Sequence, residues 1–181
     1  GIWMSGVPSA GPSACFNDSA GCVGTNMRGN YSNIADSRLI SPTVDLPSIS
    51  AGEELHLRFY QWYSYSSGDG GWSQIQVWDA AENQWSDWIM LSQHATYGSS
   101  LWSRGSVDLT AYAGERVRVA FYHLVDSNNY QSFGWFIDDV TLETVTPSLP
   151  EDFDSGWGDW YADQGIWMSG VPSAGPSACF N

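Results

Sequence analysis

Apolar and polar residues alternate with a period of two along most of this chain, and a helical period is almost nowhere. Leu55–Tyr65 (LHLRFYQWYSY) sets Leu55, Leu57 and Phe59 against His56, Arg58 and Tyr60, the signature of a half-buried strand. Ser73–Trp78 (SQIQVW) alternates again, with Ile75 and Val77 on one face. Asp79–Asn83 (DAAEN) reads as a turn, and Trp85–Leu91 (WSDWIML) as the return strand. Ser37–Leu46, broken by Pro42, fits an edge strand. Ser106–Leu109 is followed by a turn at Tyr112–Gly114, then by the alternating Arg116–Val125 and the last strand, Gly134–Val145. Polar turns fall between these runs, at 66–71 (SSGDGG) and 126–129 (DSNN). Short strands with polar turns predict an all-β, two-sheet antiparallel sandwich. On this pattern His56 and His123 are sheet-surface residues.

A repeat changes every later count. Residues 1–17 read GIWMSGVPSAGPSACFN, and residues 165–181 read the same, a period of 164 residues. That is the size of a domain, not of a solenoid unit, and it predicts a tandem array. TPSLP (146–150) punctuates the chain before EDFDSGWGDWY (151–161). The expected organisation is a body, 1–147, that lacks its opening strand, followed by 148–181, the opening segment of the next repeat. Segments 1–17 and 165–181 should then occupy equivalent places in successive copies.

The array also explains the cysteines. Cys15 and Cys22 flank FNDSAG, and Cys179 is the second copy of Cys15. A loop-closing disulfide, Cys15–Cys22, accounts for all three once the array continues, and implies an oxidising, extracellular setting. Two buried free thiols fit poorly in a loop rich in Gly, Ser, Asn and Asp, and no His or second Cys pair suggests a metal there.

The chain holds six Arg and no Lys against 20 acidic residues, a net charge of −14. Such a surface repels phosphate backbones and anionic membranes, and no apolar run reaches the roughly 20 residues of a membrane helix. It favours divalent cations wherever carboxylates converge. Without Lys, isopeptide cross-links are excluded. The three histidines fall in no metal-protease spacing, and no nucleophile elbow is present. Five tryptophans, Trp72, Trp78, Trp85, Trp88 and Trp102, lie within about thirty residues. Trp72, Trp85, Trp88 and Trp102 are candidate stacking platforms for glycans, although a Trp in a sandwich more often packs the sheet.

The segments EDFDSG, DSRLISPTVDL, GDGGWSQIQV, SVDLTAYAGERVRVAF and GWFIDDVTL, in this cyclic order, resemble a group of bacterial jelly-roll modules. These are related to MAM domains, to the immune inhibitor A accessory domain and to the cleaved-adhesin (choice-of-anchor J type) domains of gingipain-type proteases. The resemblance implies a jelly roll, commonly with structural calcium, that has no catalysis of its own. It further implies that Asp69, the pair Asp138 and Asp139, and Asp152 and Asp154 of the opening segment converge at one sandwich edge. Asp154 departs from the family pattern, which has Glu there. Strand alternation lets one at most of Asp138 and Asp139 point inward. The expected function is a non-catalytic stalk, fibre or adhesin repeat whose partners are other copies of itself, interlocked by strand donation. The alternative is a carbohydrate-binding adhesin module.

Overall fold

The computed structural model describes residues 2–99, 101–127, 129–149, 151–162, 167 and 169–175. Among these described residues, eleven strands form two antiparallel sheets. They are β1 (Met4–Gly6), β2 (Cys22–Gly24), β3 (Ala35–Ile40), β4 (Val44–Asp45), β5 (Glu54–Ser64) and β6 (Gly70–Asp79). The others are β7 (Gln84–Trp85), β8 (Ile89–Ala95), β9 (Ser103–Asp108), β10 (Arg116–Val125) and β11 (Gly134–Val145). One sheet runs β1-β2-β11-β5-β9; the other runs β3-β10-β6-β7, with β4 paired to β10 and β8 to β6. The chain crosses from sheet to sheet after β2, β4, β5, β8, β9 and β10, which is jelly-roll connectivity.

The inward residues of both sheets meet in one core. Leu55, Phe59 and Tyr63 of β5 and Trp135 and Ile137 of β11 face Ile75 of β6 and Val117, Val119 and Phe121 of β10. Trp135 is fully buried at the centre, with Phe121 edge-on at 5.4 Å and Phe59 at 6.4 Å. Its indole N–H is satisfied by Gln61 Oε1 at 3.0 Å, so a large polar-tipped ring sits in the core without an orphaned donor. Gly71 makes room for it: a Cβ there would lie 2.4 Å from Trp135 Cε3.

The alternation on β5 locates its inward face correctly but not its outward one. His56 and Arg58 are buried too, because the outer face of the five-stranded sheet carries its own cover. At one end that cover is the loop closed by the Cys15–Cys22 disulfide, with Met27, Trp62 and Phe136 in a second apolar cluster. Farther along the sheet it is the segment 151–162. His56, on the same face, is buried between Ser106 Oγ (3.0 Å) and Glu54 Oε2 (2.8 Å). His123, on β10, points into the core instead: its Nδ1 pairs with Tyr65 Oη at 2.6 Å, while its buried Nε2 has no partner among the described residues. Neither histidine is the sheet-surface residue its strand pattern suggested. The expected return strand 85–91 is likewise split: β7 ends at Trp85, and Trp88 falls in the connection to β8.

Candidate binding and docking surfaces

The five aspartates expected to gather around calcium do not form a cage. Asp69 is buried and both its oxygens are taken, Oδ2 by the Tyr31 hydroxyl at 2.6 Å and Oδ1 by the Asp126 N–H at 3.0 Å. Asp138 lies on the outward face of β11, under the disulfide loop. Its Oδ2 accepts from the Phe16 N–H (3.1 Å) and the Ser19 hydroxyl (2.7 Å), and its Oδ1 from the Asp139 N–H (2.9 Å). Asp139 is exposed with φ +46°, where the register of β11 slips between Asp138 and Thr141, so neither residue of the pair enters the core. Asp152 and Asp154 are exposed and tied to each other, Asp152 Oδ1 accepting from the Asp154 N–H. Among the described residues, one grouping of three metal-ligating side chains comes within 4.8 Å, namely Cys15, Cys22 and Asp138. Its sulfurs are joined to each other and hold no thiolate. These donors do not fit the six to eight oxygens of a calcium site. The oxygens of Asp69 and Asp138 are instead met by protein hydrogen-bond donors, as buried and part-buried carboxylates require.

The tryptophans divide between the two sheets. Trp72, Trp78, Trp85 and Trp88 share the outer side of the six-stranded sheet with two arginines. Arg118 lies over Trp85 at 4.5 Å and near Trp88 at 5.7 Å; Arg38 lies over Tyr122 at 4.3 Å and near Trp88 at 5.6 Å. Arg38 Nε donates to Gln74 Oε1 (2.6 Å) and Arg118 Nε to Gln76 Oε1 (2.8 Å), which fixes the guanidinium planes. Trp85 turns its edge to Trp78 at 5.3 Å, and Trp72 leans on Tyr122 at 6.2 Å. Ring faces here are already met by arginine or by other rings. The face packs as a cation–π ladder more than as an open sugar platform.

Trp102 belongs to the other sheet. Its indole N–H donates to Ala14 O (3.1 Å), and Phe16, stacked on Tyr60 at 3.5 Å, stands beside it at 6.2 Å. These rings line one wall of a cleft of about 890 Å³ on the outer side of the five-stranded sheet; Arg58, Arg104, Glu143, Trp157 and Trp167 are among its other lining residues. Glu143 Oε2 holds both arginines, Arg58 Nη1 at 2.9 Å and Arg104 Nη2 at 3.4 Å. Arg58 Nη2 reaches Asp159 Oδ1 at 3.3 Å, and Arg104 Nη1 donates to Gly158 O at 2.8 Å. Burial and the neighbouring Arg58 cation pull the Arg104 pKa below its ordinary value. Arg58 is only 4% exposed, and its buried Nε has no partner among the described residues.

The segment 151–162 is therefore docked across β11, β5 and β9. It ends on the open edge of β9, where the Ala162 N–H donates to Arg104 O at 3.0 Å. Sequence reasoning missed this docking cluster of Arg58, Arg104, Glu143 and Asp159. One signal was available: six arginines in a chain without lysine, two of them on neighbouring strands. Cys179 and most of 165–181 lie outside the described residues. Of that second copy, Trp167 is 67% exposed, whereas its counterpart Trp3 packs against the core beside Trp135 and His123. The place that receives this sequence is already filled by residues 2–6 of the same body.

No family model matches the chain. It is 32% identical over 142 residues to Bacillopeptidase F of Bacillus subtilis (strain 168), a match that takes in 77% of this chain and 9% of that protein. The chain thus spans a small fraction of the relative's length. In structure it is similar to the K3 cleaved adhesin domain of Lys-gingipain from Porphyromonas gingivalis W83, at 20% identity and a TM-score of 0.43, over 78% of this chain and 91% of that one. It is also similar to the enzymatically active domain of tailspike protein 4 of bacteriophage CBA120, at 12% identity and a TM-score of 0.46, over 80% and 19% of the two chains. A third similarity is to SGBP-B from a complex xyloglucan utilisation locus in Bacteroides uniformis, at 16% identity and a TM-score of 0.41, over 80% and 46%.

Proposed function

We propose that this chain is a non-catalytic structural and adhesive repeat of an extracellular protein, whose copies join through the segment 151–162. The observation that carries the reading is the fit of that segment onto the preceding body, through Asp159 on Arg58, Gly158 on Arg104 and the Ala162 amide on the β9 edge. Identical repeats make the segment interchangeable, so a body can take it from its own chain or from a neighbour's, and exchange between chains builds a filament. The disulfide supports an oxidising compartment. The histidines support a role without catalysis: His94 and His123 are held neutral in the core, and His56 is tied between Ser106 and Glu54. Light scattering after size exclusion, over a concentration series, tests the exchange. Exchanging chains elute as multimers at high concentration, and Arg104→Glu, which repels Glu143 and releases Gly158, returns them to monomers. A wild-type chain that stays monomeric throughout refutes exchange.

One observation favours a second role for the same surface, glycan binding. The cleft sets the Trp102 and Trp157 rings beside the Arg58 and Arg104 side chains and the Glu143 carboxylate. A sugar ring would lie against the aromatic wall with its hydroxyls toward the charged groups. Screening on a glycan array, with loss of signal in Trp102→Ala, tests this reading; an empty array, or signal that survives the substitution, rejects it.

A further inference from the structure

Resting on the array reading above, we infer that successive copies abut edge to edge, with the β9 edge of one body against the β1 side of the next, and that no flexible linker separates them. Two anchors close together in sequence carry the inference. The first is Ala162, buried and bonded through its amide to Arg104 O on the β9 edge of the body that precedes it. The second is the start of the repeat. In the body, Ile2 and Trp3 pack against the core, and β1 follows at once as the other edge of the same five-stranded sheet. By identity of sequence, Ile166, Trp167 and 168–170 take these places in the next body.

Only 163–165 lie between the anchors. Four Cα steps span at most about 14 Å when fully extended. Two strands' worth of side chains fills such a gap, so the bodies are in contact. Trp167, 67% exposed, borders the outer cleft of this body and does not take the place that Trp3 holds against the core, which leaves it available to the next body.

The surfaces that meet are defined by the same reasoning. On one side stands the groove between the β8 and β9 edges, lined by Leu91, His94, Val107 and Asp108 and bordered by Tyr161. Here Arg104, Ser106 and Asp108 turn their backbone groups away from β5, because Arg104 O serves Ala162 while Leu109 N, next in line, serves Leu55 O. The partner is β1, which among the described residues pairs with β2 alone, so that its other edge is open there. Two open edges of antiparallel sheets, tethered this closely, shield each other from the edge-to-edge aggregation that either would invite alone.

A chain of two periods, residues 1–164 followed by 1–181, tests the inference by small-angle X-ray scattering. With half of a five-strand sheet on each side and the joint between, the centres of the bodies should lie within about 45 Å of each other in one narrow distribution. A variant with twelve Gly-Ser residues inserted after Ala162 should broaden that distribution, and Arg104→Glu should broaden it too. A wild-type chain as broad as the insertion variant overturns the joint. Failure of the array reading looks different: the second Cys15–Cys22 pair would not close, and calorimetry would register the unfolding enthalpy of one body in a chain of two.

Discussion

Acid should unfold this protein in a window set by two histidines. His94 lies between the edge of Phe59 at 5.3 Å and the ring of Trp135 at 6.1 Å, with its Nε2 between the hydroxyls of Ser73 and Ser92. His123 is fully buried among Trp3, Tyr31 and Tyr65. No carboxylate pairs directly with either ring among the hydrogen bonds described, and burial pushes each pKa down to about 4. In the unfolded chain both return to about 6.5. Between pH 4 and 6.5 the unfolded state thus holds more protons than the folded one, so stability rises with pH through this window and falls as acid is added. A depression from about 6.5 to about 4 is worth about 3 kcal/mol per histidine. The pair therefore removes about 6 kcal/mol by pH 4, a large share of the 5–15 kcal/mol typical of a domain. With both titrating, the slope approaches about 3 kcal/mol per pH unit in mid-window.

Urea unfolding at half-unit steps from pH 7.5 to 4.5, followed by tryptophan fluorescence, measures that slope. His94→Gln and His123→Asn should each cut it by about half, whatever they do to stability at pH 7. An unfolding free energy that is flat or rises between pH 6.5 and 4.5 would refute the assignment of these histidines as buried neutral groups.

Two other outcomes follow from the packing and the donor sets. Gly71→Val places a branched side chain where even a Cβ sits 2.4 Å from Trp135, which Phe59, Phe121 and His94 hold in place. Overpacking of this kind costs about 1–3 kcal/mol or more and should lower the melting temperature and weaken the near-ultraviolet circular dichroism; unchanged values mean that the two sheets are not in this contact. A calcium chelator should leave the melting temperature unchanged, because Asp69 and Asp138 spend their oxygens on protein donors. A clear drop would return calcium to these loops, since an ion bound only by the folded state must stabilise it.

Period-two alternation set the strands of this protein, and with them the sandwich, because side chains on a pleated strand leave it on alternate sides whatever the tertiary context. The inward residues of β5 and β10 were legible for that reason. The sequence also determined the 164-residue period, and the spacing of Cys15 and Cys22 around a polar loop brought their pairing within reach of reading. Alternation cannot tell whether the second face of a sheet meets water. That depended on the disulfide loop and on segment 151–162 folding across β5, β9 and β11, so His56 and Arg58, on the polar side of the β5 pattern, are buried. Nor can one-dimensional spacing decide which carboxylates meet. Asp69 went to Tyr31 and Asp138 to the loop of Phe16 and Ser19, because the nearest donors in space were backbone amides and hydroxyls far away in sequence. The tryptophans that crowd one stretch of sequence were likewise parted by a single crossover, Trp72, Trp78, Trp85 and Trp88 going to one sheet and Trp102 to the other.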